Sequence, residues 1–190
     1  MKGKMFIIAI LILVLIGVGY KMTGNVIKES GEGDKILLKT NQGDIVIELY
    51  ENMPITAGNF KKLVGDGVYD GVIFHRILNG FMIQGGDPTG TGMGDPNIPN
   101  IQDEFVEGSS NLRGTIAMAN AGPNTGSSQF FINLVDNIYL DWDKQPESSK
   151  HPVFGKVVEG MDIVDKIANV KVNQAGKPDE DVKIIKASFI

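Results

Sequence analysis

No cysteine occurs among the 190 residues. That absence excludes disulfides, thiolate nucleophiles, cysteine-ligated zinc or iron–sulfur centres and a lipoprotein anchor. Histidine is nearly absent too: only His75 and His151 are present, too few for a multi-histidine metal site, so no metal is expected. The chain also lacks a basic stripe, and its net charge of −5 opposes nucleic-acid binding, which needs cations to displace phosphate counterions. Charge is unevenly placed. The first 33 residues carry four lysines against two glutamates, so the remaining 157 carry −7.

What is present begins with Met5–Tyr20, sixteen uncharged residues between Lys2, Lys4 and Lys21. Such a run with positive flanks reads as a membrane-targeting segment, a hydrophobic helix at 1–22 that serves as an uncleaved anchor or a signal peptide. Residues 23–33 turn polar and glycine-bearing and read as a linker. The folded domain is expected over 34–190, outside the cytoplasm.

Glycine and proline, 24 and 8 of them, mark many turns. Ile36–Thr40 and Asp44–Tyr50 flank Asn41-Gln42-Gly43 as a hairpin. After Pro54 the period becomes helical, with Thr56 as N-cap, Phe60, Leu63 and Val64 on one face, and Gly65 and Gly67 as the stop. Met161, Val164, Ile167 and Ala168 give a second helix over Gly160–Asn169. Short apolar runs at 72–77, 81–84, 115–119, 129–134, 153–158 and 182–190 read as strands. Many strands with two irregularly placed helices predict a mostly β fold, a barrel plugged at its ends by helices.

Generic catalytic patterns fail. The glycines of 85–94 lack the Lys-Ser/Thr of a phosphate loop, and Ser127-Ser128 lacks the second glycine of a nucleophile elbow. More distinctive is 72–86, which sets Arg76 among Ile, Phe and Met. An arginine there implies either a structural salt bridge or a site that uses its rigid donor fork.

The runs Phe74-His75-Arg76-Ile77, Gly80-Phe81-Met82-Ile83-Gln84-Gly85-Gly86-Asp87, Met118-Ala119-Asn120-Ala121-Gly122-Pro123-Asn124-Thr125, Ser128-Gln129-Phe130-Phe131-Ile132 and Val153-Phe154-Gly155-Lys156-Val157 occur in this order. From about Ile36 to Ile190 the chain resembles the cyclophilin family of peptidyl-prolyl cis–trans isomerases, in its prokaryotic-like form. The resemblance implies a closed eight-stranded antiparallel β-barrel capped by two α-helices, no cofactor, and proline-containing polypeptides as substrates. Carried over position by position, it makes Arg76 the catalytic arginine and Gln84 its hydrogen-bonding partner. Phe81, Met82, Phe131 and Leu140 become walls of a proline pocket; Ala119, Asn120 and Gln129 complete the groove, with the Asn120 backbone binding the substrate chain. His151 matches the pocket histidine. Phe130, next to Phe131, should point inward, since successive strand residues face opposite sides.

The chain also departs from that pattern. Tyr139 stands before Leu140 where many cyclophilins carry tryptophan, which argues against cyclosporin as a ligand, and Trp142–Lys150 lengthens a loop expected beside the pocket. A non-catalytic groove that grips proline segments as a chaperone or scaffold is the alternative. It would be marked by loss of Arg76 or of the apolar walls, and neither is lost.

Overall fold

The computed structural model describes residues 35–190. The targeting segment expected at 1–22 and the linker at 23–33 lie outside the described residues, and among those described no helix is long and apolar enough to cross a membrane.

The opening hairpin forms where expected: β1 (Lys35–Thr40) pairs antiparallel with β2 (Gly43–Leu49). Thr40 locks its turn, because Oγ1 donates to the Gly43 carbonyl at 2.6 Å and accepts from the Gln42 and Gly43 N–H groups. Next come α1 (Thr56–Gly65), β3 (Arg76–Leu78), β4 (Met82–Gly85), β5 (Thr115–Met118), β6 (Phe130–Asn133), β7 (Val153–Glu159), α2 (Met161–Ala168) and β8 (Ile184–Phe189). Short 3-10 turns at Ile138–Leu140 and Glu147–Ser149 lie between β6 and β7. The strands form one antiparallel sheet in the order β3-β4-β6-β5-β7-β2-β1-β8.

The sheet curls on itself, but the closed barrel implied by resemblance is not what its ladders make. Its end strands β3 and β8 share no ladder. Residues just before β3 meet the approach to β8 instead, through an isolated Ile73–Lys183 bridge and the bonds Phe74 N–H to Val182 O and Ile184 N–H to Val72 O. The expected strand at 72–77 is correspondingly shortened to a ladder that starts at Arg76.

Period-two alternation gives the sheet two apolar faces. Ile77, Ile83, Ile116, Phe130, Ile132 and Phe154 point into the main core, where Phe130 packs edge-on against Phe60, Tyr69 and Phe74. The helices cover this core, α1 against β7 and β8 and α2 against β2, β3 and β4. Met82, Ala117, Phe131, Leu140 and Val153 form a second, smaller cluster on the other face.

One local expectation is overturned. Thr56 does not cap α1; it is the first helical residue, and its hydroxyl is buried with no hydrogen-bond partner. The carboxylate of Glu104 caps the helix instead, accepting from the N–H groups of Ile55 at 3.0 Å and Thr56 at 2.9 Å. An anion suits that end because the orphan amides and the helix dipole both favour it. Glu104→Ala is therefore expected to cost about 1 kcal/mol, seen as a lower urea midpoint at unchanged slope, whereas Thr56→Val should leave the midpoint unchanged or raise it. The reverse ranking would restore Thr56 as the cap.

Candidate active site

Strand register aligns the predicted residues. Arg76 on β3 is paired with Gln84 on β4, Gln84 with Phe131 on β6, Phe131 with Ala117 on β5, and Ala117 with Val153 on β7. Paired residues of neighbouring strands project to the same side, so these five stand in one row across the outer face, with strands about 4.8 Å apart. A second row follows one pleat away on the same face: Leu78, Met82 and Asn133. Phe81 packs on this cluster and stacks on Tyr139, ring centroids 6.3 Å apart, while Ala119 borders it. Leu140 arrives from the 3-10 turn. Phe130 faces the main core, as alternation requires.

Arg76 is exposed and, among the described residues, makes no ion pair, which removes the salt-bridge reading. Its Nη1 donates to Gln84 Oε1 at 3.3 Å. Gln84 Nε2 donates to Gln129 Oε1 at 3.0 Å, and Gln129 Nε2 to the Gly92 carbonyl at 3.1 Å. This string leaves most of the guanidinium fork available to an incoming acceptor. Its far end is fixed by Asp87, a fully buried carboxylate that accepts from the N–H groups of Thr89, Gly92 and Gly94. Burial pushes that carboxyl up, but the hydrogen bonds from Thr89, Gly94 and Gly92 outweigh it and the net direction is down.

His151 edges the cluster, its ring T-shaped against Phe131 at 5.3 Å. Nδ1 lies 3.0 Å from the Met118 carbonyl, an acceptor only, so this nitrogen carries the proton and Nε2 keeps its lone pair. Desolvation lowers the His151 pKa against smaller opposing contributions from Met118 and Asp103, and burial likewise lowers that of His75. In the unfolded chain both titrate near 6.5. The folded state therefore binds these protons less readily, and the stability so gained is complete above about pH 6.5 and is lost as pH falls below it. We expect the urea midpoint to drop between pH 7 and 5.5, and His151→Gln to drop less; an identical decline in both would remove His151 from this account.

The Asn120 side chain does structural work: Nδ2 donates to the Lys150 carbonyl at 2.9 Å and Oδ1 accepts from Gly122 N–H at 3.3 Å. It ties the end of the 142–150 loop to the groove. Beside it lies a cavity of about 570 Å³, lined by Gln84, Ala119, Asn120 and Gln129 together with the 92–100 loop. None of Arg76, Phe81, Met82, Phe131, Leu140 or His151 lines it. Sequence reasoning did not single out Ala117 or Val153, apolar strand residues that look like core until register places them on the outer face. Among the described residues no group of three or more histidines and carboxylates is placed to hold a metal.

Comparison with known proteins gives a consistent picture. Residues 35–189 match the family model described as cyclophilin type peptidyl-prolyl cis-trans isomerase/CLD. A peptidyl-prolyl cis-trans isomerase-like 1 from Gibberella zeae is 43% identical over 159 residues, covering 82% of this chain and 94% of that protein. A putative peptidyl-prolyl cis-trans isomerase from Staphylococcus aureus is 40% identical over 182 residues, covering 83% and 92%. Among solved structures, a Cryptosporidium parvum cyclophilin type isomerase, determined in the presence of the dipeptide Ala-Pro, superposes with TM-score 0.72 at 31% identity, covering 82% of this chain and 98% of that one.

Proposed function

The chain belongs to the cyclophilin-type peptidyl-prolyl cis–trans isomerase family, and from that premise we propose that it rotates X–Pro bonds in polypeptides outside the cytoplasm, with Arg76 as the transition-state donor. The observation that carries the assignment of roles is the single row Arg76, Gln84, Phe131, Ala117, Val153. It sets one oriented donor beside an apolar patch.

Rotation of an X–Pro amide must surmount about 18–20 kcal/mol because twisting removes amide resonance. No bond breaks, so neither nucleophile nor proton carrier is required. In the twisted state the proline nitrogen recovers its lone pair and becomes an acceptor that neither planar ground state offers. A guanidinium N–H aimed at that nitrogen stabilises the transition state selectively. Gln84 holds the Arg76 rotamer through their hydrogen bond. Phe81, Met82, Phe131 and Leu140 keep the proline ring still, with His151 closing one edge, while the preceding carbonyl swings. The main chain of Asn120 aligns the extended substrate beside Ala119, and a flanking side chain enters the cavity next to Gln129.

Placement outside the cytoplasm is supported by the apolar run Met5–Tyr20 between lysines. The full chain, added to a protein whose slow refolding phase is an X–Pro isomerisation, is expected to speed that phase; an unchanged slow phase contradicts the activity. Protease added to intact cells stripped of their wall is expected to remove the domain, and full protection would place it inside.

A further inference from the structure

Next to the apolar cluster runs a string of buried polar groups that the proposed chemistry does not use. Asn111 and Asn133 are fully buried, Asn137 and Asp141 nearly so. A buried amide left unpaired costs about 1–3 kcal/mol, and these are paired end to end. Asp141 Oδ1 accepts from Asn111 N–H at 2.7 Å, and Oδ2 accepts from the Ser110 hydroxyl. Asn111 Nδ2 also reaches the carbonyls of Leu140 at 3.2 Å and His151 at 3.3 Å. Asn111 Oδ1 accepts from Asn133 Nδ2 at 3.2 Å, and Asn133 Oδ1 from Asn137 Nδ2 at 2.8 Å. The string ends where Asn137 Nδ2 donates to the Phe81 carbonyl at 3.0 Å. Asn133 is the strand partner of Met82 and follows Phe131 by two residues on the same face.

The three wall residues touched by this string stand at opposite ends of it, Phe81 at one and Leu140 with His151 at the other, and all are held through main-chain carbonyls. We propose that Asn111, Asn133 and Asn137, anchored by Asp141, are positioning residues that fix the spacing between the two walls of the proline pocket. The inference rests on the proline-pocket reading given above. It predicts a particular kinetic signature. The proline ring is gripped alike in the ground and transition states, so a misplaced wall weakens uniform binding and raises KM, while kcat persists. The string from Arg76 through Gln84 to Gln129 shares no hydrogen bond with the asparagines, so the donor stays aimed.

The test uses the full chain with Asn137→Ala and Ser110→Ala, and Ile184→Val, a change on β8 in the main core and outside the pocket cluster, as the control for lost stability. Asn137→Ala is expected to shift the methyl NMR signal of Met82 and to raise peptide Kd and KM about fivefold with kcat within about twofold. Ile184→Val should leave all of these at the wild-type value. Unmoved methyl signals with unchanged KM, or KM and kcat disturbed equally, would overturn the proposal. Should Asn137→Ala fail to fold, Ser110→Ala at the half-buried outer end decides: a shifted Leu140 methyl signal with raised KM supports positioning, and neither change overturns it. Peptide Kd and methyl shifts need no turnover, so a wild-type chain that binds without isomerising would sink the catalytic reading and still return a result here.

Discussion

Arg76→Ala is expected to lower kcat/KM for an X–Pro peptide on the order of 100-fold, the usual effect of removing one preorganised donor aimed at developing charge, while peptide Kd stays within about threefold. The split follows from the geometry. Arg76 is an exposed residue on a short strand, and its guanidinium donates a hydrogen bond to Gln84, so truncation opens no core cavity and leaves Phe81, Met82 and Phe131 in place. Only the twisted amide loses a partner. Arg76→Lys keeps the charge but not the fork, and a point charge on a flexible stem cannot lie along Gln84 and face the ring nitrogen together. It should recover a minor part of the rate. A full recovery would show that charge alone suffices and that the Gln84–Gln129 string is dispensable.

Phe130→Ala and Phe131→Ala should separate stability from function at adjacent positions. Phe130 is fully buried and meets Phe60, Tyr69 and Phe74 at centroid distances of 5.4, 5.6 and 6.1 Å. Its loss removes a buried ring from a core that cannot collapse around it, and about 3–5 kcal/mol of unfolding free energy should go with it. Phe131 belongs to the smaller outer cluster, where it faces His151. Phe131→Ala should cost less stability and far more of kcat/KM, chiefly through a raised KM, because the proline ring loses a wall. Urea unfolding with kcat/KM on both variants checks the pair. Equal stability losses with equal activity losses would mean that the outer cluster is merely more core.

The adjacency of those two phenylalanines explains what was legible from residues alone. Period two separates Phe130 from Phe131 and Ile83 from Met82, and helical period marks Phe60, Leu63 and Val64. The pocket itself was not readable locally, because β4 pairs with β6 and β6 with β5 across long stretches of chain. Which apolar residues join Arg76 is therefore a matter of non-local register: Arg76 stood out among its Ile, Phe and Met neighbours, but its role as donor came only from the run of motifs. Thr56 failed as a cap for the same reason: Glu104, distant in sequence, satisfies the helix end first. Asn111 and Asn137 sit outside the regular strands, where asparagine ordinarily signals a turn. Their burial depends on Asp141 and on the strand residue Asn133, which no spacing rule joins to them. The seam between β3 and β8 also escaped, since an isolated bridge and a full ladder look alike in sequence.

The most direct measurement is cis–trans exchange of an Ala-Pro-Phe peptide at equilibrium, followed by NMR with the full chain and with Arg76→Ala at peptide concentrations where both are bound. Exchange far above the uncatalysed rate, which takes tens to hundreds of seconds, and its collapse in the variant while binding persists, is the predicted result. Binding by the wild-type chain with exchange left at the uncatalysed rate, or equal acceleration by the variant, would contradict the assignment of the guanidinium as the group that lowers the barrier.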